Sequence, residues 1–213
     1  MMLIPRNTDL NGQSSMDGLH LSPIAARESF GIMAGDRHQV ALEPNSIFMA
    51  RLKMARFYVI YGQGGFITSI GMSNLASRIA HLYPISKVTT HAWKYPANIT
   101  NDIQKQSTST KIILIGYSLG ANAVTWVSNS IGRTIDLAVC YDPSVLSLVN
   151  NPNTNVKRLL LYHNVDREPE GHAIMTGPQV ERTDISMWHL GVCFDEGLHQ
   201  KTLAAIQQVM SKP

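Results

Sequence analysis

The feature that most constrains this chain is the junction at residues 111–132. There the unbroken apolar run KIILIG meets Gly116-Tyr117-Ser118-Leu119-Gly120, and the segment LGANAVTWVSNSIG follows with helical periodicity. A continuous apolar run of that length, rich in β-branched residues, reads as a central strand buried on both faces, the signature of a parallel sheet covered by helices. The two glycines flanking the serine allow a sharp strand-to-helix turn in which backbones approach closely. The junction is therefore one βα unit of a larger α/β array.

The rest of the chain supplies the other units. RFYVIYG reads as a strand, and SNLASRIAHLY follows with Leu75, Ile79 and Leu82 at helical spacing. KVTTHAW is a strand, ITNDIQKQS a helix, DLAVCYD and VKRLLLYH are strands, and GLHQKTLAAIQQVM is a closing amphipathic helix. About five parallel strands result, with TDISMW as a plausible last one. The predicted fold class is a compact, mostly parallel α/β sheet with helices on both faces and no large lid. The dozen residues PSVLSLVNNPNT after Asp142 leave no room for a lid domain. Residues 1–54 form an N-terminal extension of unclear order whose one helical pattern is SPIAARESF, and residues 55–213 form the domain.

Composition excludes several functions. The 213 residues carry 44% hydrophobic and 15% charged residues, the balance of one globular domain. The net charge is only +3, and Arg51, Lys53 and Arg56 form the one tight basic group, read as a solvated face, so nucleic acid is not an expected partner. No apolar run reaches the roughly 18 residues of a membrane span. The N-terminus lacks the basic start and apolar stretch of a signal peptide, which points to the cytoplasm. Cys140 and Cys193 have no metal-ligand spacing and read as free thiols, so neither a metal nor a thiol nucleophile is expected.

The chemistry that fits the junction is nucleophilic. A serine projecting above the sheet at a helix N-terminus has backbone N–H groups and a positive dipole end beside it, which favour a developing oxyanion. On these residues the chain resembles the α/β-hydrolase superfamily, from about Tyr58 to the last helix, in the manner of small bacterial or phage serine esterases and lipase-like proteins. The resemblance implies Ser118 as nucleophile and the backbone N–H of Leu119 as one oxyanion donor. The second would come from the loop Tyr61-Gly62-Gln63-Gly64-Gly65. Gln63 is the first choice, with Gly62 or Gly64 as alternatives. Gly62, Gly64 and Tyr117 are the candidate substrate-binding residues. The spacing in that loop does not fit a dinucleotide fingerprint.

A serine hydroxyl needs a base, and the base needs a carboxylate to hold its tautomer. His163, His172, His189 and His199 lie downstream of Ser118. His189 follows the last predicted strand and precedes the closing helix, where this fold presents its histidine, and HLGVCFDEGLH resembles the histidine loop of small hydrolases. His172 is second, and His199 reads as a surface or cap residue. For the acid, Asp142 is the first choice and Asp166 the alternative. Asp142 ends a strand in an Asp-Pro pair, as in pancreatic-type lipases. Asp166, in the charged stretch DREPEG, follows the next strand, the commoner acid position in the superfamily. The resemblance implies cleavage of a small carboxylic ester through an acyl-enzyme, with no cofactor. A thioesterase or peptidase would use the same triad, and a non-catalytic binding module on the same scaffold is the alternative from another class. Oligomeric state is left open.

Overall fold

The computed structural model describes residues 54–144, 151–170 and 175–212. The N-terminal extension before residue 54, its SPIAARESF pattern, Arg51, Lys53 and His172 lie outside these residues.

Six strands form one sheet: β1 (Ala55–Tyr61), β2 (Lys87–Ala92), β3 (Lys111–Tyr117), β4 (Leu137–Tyr141), β5 (Leu159–Asn164) and β6 (Val180–Ile185). Their order across the sheet is β2-β1-β3-β4-β5-β6, and every pairing is parallel. The helices are α1 (Phe66–Leu82), α2 (Pro96–Gln104), α3 (Leu119–Ser130), α4 (His189–Val192) and α5 (Glu196–Ser211), with a 3-10 turn at Val165–Glu170. The sheet thus has one strand more than about five, and the sixth begins at Val180 rather than within TDISMW.

Alternation along the strands builds two cores. Phe57 and Val59 of β1, Ile113 and Ile115 of β3 and Val139 of β4 pack against Met72, Leu75 and Ile79 of α1 and Leu203 and Ile206 of α5. Tyr58 and Ile60, Ile112 and Leu114, and Ala138 and Cys140 turn to the other face, against Ile99 and Ile103 of α2 and Val124 and Val127 of α3. Successive strand residues point to opposite faces, so strands apolar on both are what a helix-sheet-helix sandwich requires. Each fully buried aliphatic side chain contributes about 1.5–3 kcal/mol relative to an exposed one.

Several local readings change for identifiable reasons. Helix α1 starts directly after the glycine loop, seven residues ahead of SNLASRIAHLY, with Phe66 and Ile67 exposed on its first turn. Exposed apolar residues there blur the amphipathic pattern. The stretch DREPEG belongs largely to the 3-10 turn. His199 is buried rather than on the surface, with its Nε2 3.1 Å from the Cys193 carbonyl oxygen. Arg56 is half-buried, and its Nε donates to Gln106 Oε1 at 2.9 Å. Among the described residues, no helix is long and apolar enough to cross a membrane.

The topology places the ends of β1, β3, β4 and β5 side by side. Tyr117 of β3 pairs with Tyr141 of β4, and Tyr141 with Tyr162 of β5. Ser118, Asp142 and the 3-10 turn therefore emerge at one edge of the sheet, where open α/β sheets bind ligands.

Candidate active site

Ser118 leaves β3 in a backbone conformation that a side chain other than glycine rarely adopts, with φ 56° and ψ −124°. Its N–H donates to Tyr141 O at 2.9 Å, and its carbonyl accepts from Ala121 N at 2.9 Å, so strand and helix both hold the turn. The flanking glycines are demanded by space. A Cβ on Gly116 would lie 2.3 Å from Gly120 O, and one on Gly120 would lie 2.2 Å from Ile60 O. Strain of this kind costs about 1–3 kcal/mol and persists where the surroundings over-determine it.

Asp142 repeats the device one strand over. Its φ is 41°, and its N–H donates to Tyr162 O at 2.9 Å. Ser118 and Asp142 are the two non-glycine residues with positive φ among those described. The segment beyond Asp142 is tied back to α3, the helix that follows the sharp turn, or elbow, at Ser118. Asn122 donates through Nδ2 to Ser144 O and accepts at Oδ1 from Ser144 N, both at 2.9 Å. Sequence reading missed Asn122, although its place one turn beyond the elbow was a usable signal.

His189 begins α4 and completes the arrangement. Its Nε2 lies 3.0 Å from Ser118 Oγ, and its Nδ1 lies 2.5 Å from Asp142 Oδ2. An ionised carboxylate only accepts, so the Nδ1 proton points to Asp142 and the Nε2 lone pair faces the Ser118 hydroxyl. Asp142 is buried while His189 is a quarter exposed, which leaves the imidazole partly open to solvent. Burial pushes the Asp142 carboxyl up, but the hydrogen bond and charge of His189, the charge of Arg167 and the Asn164 amide outweigh it. The net effect holds Asp142 below its ordinary value.

Tyr117 is fully buried, so it forms no pocket wall for a substrate. Instead its hydroxyl donates to His189 O at 3.0 Å, and its ring lies 5.0 Å from the imidazole, centroid to centroid. The histidine thus rests on the residue before Ser118. The other face of the α4 segment is set by α1, because a Cβ on Gly71 would lie 2.4 Å from Cys193 O.

The glycine loop meets the elbow at Gly62, where a Cβ would lie 2.7 Å from Ser118 Cβ and 3.2 Å from Leu119 N. Gly64 and Gly65 have φ of 111° and 55°, so the loop turns through conformations open to glycine. Gln63 is exposed beside Gly62. Leu119 is the first residue of α3, where backbone N–H groups have no partner within the helix.

The remaining candidates fall away from this centre or beside it. Asp166 is exposed and accepts from Ser186 Oγ at 3.0 and 2.8 Å. His163 is buried at the end of β5. Asn164, its neighbour, donates to Met187 O at 2.7 Å and to Asp142 Oδ2 at 3.3 Å. Sequence reading also missed Arg167, whose Nη1 stands 3.3 Å from Asp142 Oδ2 and 2.6 Å from His189 Nδ1. No cluster of His, Cys, Asp and Glu able to hold a metal occurs among the described residues.

No family model matches the chain, and no curated protein matches it. Among solved structures it is similar to an iodinated complex of acetyl xylan esterase, with 15% identity over 74% of this chain and 98% of that one and a TM-score of 0.42.

Proposed function

We propose that the protein is a serine hydrolase of carboxylic esters with Ser118 as nucleophile, His189 as base and Asp142 as the acid that orients it. The observation that carries this reading is the continuous chain Ser118 Oγ, His189 Nε2 at 3.0 Å, and His189 Nδ1 to Asp142 Oδ2 at 2.5 Å. A serine, an imidazole with its lone pair toward the hydroxyl, and a buried carboxylate behind it form the constellation that makes serine nucleophilic.

In the proposed reaction Ser118 Oγ attacks the ester carbonyl carbon as its proton passes to His189 Nε2. Backbone N–H groups of Leu119 and of the loop at Gln63 receive the oxyanion, favoured by the positive end of α3. Collapse of the tetrahedral intermediate expels the alcohol, which takes the proton from His189. Water then gives its proton to His189 and attacks the acyl-enzyme. Release of the carboxylic acid returns the proton to Ser118. Asp142 stays ionised throughout and stabilises the imidazolium.

The site is open. Residues 142–158 join β4 to β5, too few for a lid domain. Phe66, 79% exposed at the start of α1, and Trp188, 74% exposed beside His189, stand at the catalytic end of the sheet. These exposed apolar groups support short apolar acyl or alcohol groups over long chains that need enclosure.

The test is hydrolysis of p-nitrophenyl acetate and butyrate, with covalent labelling by a fluorophosphonate. Turnover and labelling in the wild type, both abolished in Ser118→Ala, are the expected result. A wild type that neither turns over nor labels at Ser118 would refute the enzyme reading and leave the non-catalytic scaffold.

A further inference from the structure

Arg167 projects from the 3-10 turn after β5 onto both partners of the base, 3.3 Å from Asp142 Oδ2 and 2.6 Å from His189 Nδ1. A guanidinium only donates hydrogen bonds, and it keeps its charge at every pH the fold survives. His189 Nδ1 therefore faces two rivals. The carboxylate asks for a proton on Nδ1, which leaves the Nε2 lone pair for the Ser118 hydroxyl. The guanidinium asks for a bare Nδ1, which would put the proton on Nε2 and leave the ring unable to accept from Ser118. With an ionised oxygen at 2.5 Å, a lone pair on Nδ1 is repelled and a proton is bound. The carboxylate prevails, and Arg167 is held as the ion-pair partner of Asp142.

Its charge then stands beside a ring that has to become cationic during turnover. We propose, resting on the reading of Ser118 as nucleophile, that Arg167 is a positioning residue that keeps His189 neutral, and so able to accept the serine proton, to more acid pH than Ser118, His189 and Asp142 would alone. Two effects act in the same direction. The guanidinium draws on the carboxylate charge that would stabilise an imidazolium, and it repels the imidazolium directly.

Among the described residues, the other groups named against the ring do not supply this charge. Tyr117, packed on the imidazole from β3, has its hydroxyl pushed up by burial and is neutral in the range that matters. The Cys193 thiol at the end of α4 is pushed up to about 11 by burial. Asn164 from β5 is uncharged. Asp166, on the same turn as Arg167, is engaged by Ser186.

The experiment follows the His189 imidazole by ¹⁵N NMR across pH and, in parallel, the rate of fluorophosphonate labelling at Ser118. The samples are wild type, Arg167→Gln, Arg167→Met and Arg167→Lys, with folding checked by circular dichroism. Loss of one unit charge at this range, offset in part by the Asp142 carboxylate it pairs with, should raise the imidazole midpoint and the acid limb of labelling by about one pH unit in the Gln and Met variants. Arg167→Lys, which keeps the charge but not the planar fork, should stay within about 0.3 unit of wild type. An imidazole midpoint unchanged in the neutral variants overturns the proposal. So does an equal shift in Arg167→Lys, which would trace the effect to packing, and so does an imidazole shift that leaves the labelling limb where it was. An imidazole that shifts as expected in a protein whose Ser118 never labels would uphold the charge effect on His189 and refute the hydrolase reading instead.

Discussion

Gly62 lies against Ser118 so closely that a Cβ on the glycine would sit 2.7 Å from the serine Cβ and 2.8 Å from the Tyr117 carbonyl oxygen. The loop after β1 and the elbow after β3 are thus one packed unit, and the space between them admits a hydrogen but no methyl group. Gly62→Ala should push the loop off the elbow and displace any oxyanion donor it carries. Overpacking of this kind costs about 1–3 kcal/mol, and a displaced donor costs about 10²–10³ in turnover. Thermal melts and p-nitrophenyl acetate kinetics measure the two separately. A variant with wild-type kcat would show that the loop takes no part in the chemistry.

On the sequence Asp142 is the first choice of acid and Asp166 the alternative, and in the structure the two differ in burial and partner. Asp142 is 1% exposed and bonded to His189, whereas Asp166 is exposed and bonded to Ser186. Asp142→Asn should lower kcat by about 10⁴, because an amide can donate to Nδ1 and so favours the wrong tautomer. Asp166→Asn should stay within about threefold of wild type, as expected for an exposed surface change. The reverse ranking would transfer the acid role to Asp166.

What the sequence made legible was local. The elbow could be read because its glycines, serine, strand and helix are contiguous, and the strands because their apolar runs are unbroken. The partners of His189 depend on where distant loops return. Arg167 was hidden because its reach to Asp142 and His189 depends on the 3-10 turn after β5, and a run such as DREPEG has the composition of a solvated loop. Helix α4 has four residues, too few to show a period. His199 looked like a surface residue because nothing in the sequence announces that its ring nitrogen will meet the Cys193 carbonyl.

The depressed Asp142 carboxyl ties stability to pH with a definite sign. Its folded-state value lies below the ordinary 3.8 of the unfolded chain, so the unfolded state binds the proton more readily. The stabilisation is complete above the unfolded value and is lost as pH falls through the folded one. The stability difference between wild type and Asp142→Asn, from urea melts, should therefore change in favour of Asn as pH falls below about 4. A difference that stayed flat to pH 2 would mean that Asp142 titrates alike in both states.

Both cysteines are buried, and burial raises their thiols, Cys193 to about 11. The thiolate is the reactive form, so iodoacetamide at pH 7.5 should leave the proposed hydrolysis of p-nitrophenyl acetate unchanged over hours while fluorophosphonate removes it. Cys193→Ser should keep activity within a few-fold, a modest loss being expected from a buried hydroxyl. Rapid inactivation by iodoacetamide, prevented in Cys193→Ser, would bring the thiol into the mechanism.

Trp188 precedes His189 and exposes 74% of its surface, an unusual position for so large an apolar ring unless something covers it in use. Standing beside His189, it would cover the acyl or alcohol group of an ester bound in the proposed reaction. Butyrate carries two methylenes more than acetate, and each methylene fully removed from water gains about 0.8 kcal/mol, roughly fourfold in binding. Wild type should therefore prefer p-nitrophenyl butyrate to acetate by up to about tenfold in kcat/KM, allowing for partial burial. In Trp188→Ala that preference should fall toward one, mainly through KM, with kcat for acetate nearly unchanged because the ring holds none of the reacting atoms. If the variant kept the full preference for butyrate, the acyl chain would have to lie elsewhere, and the exposed Phe66 at the start of α1 would be the next residue to replace.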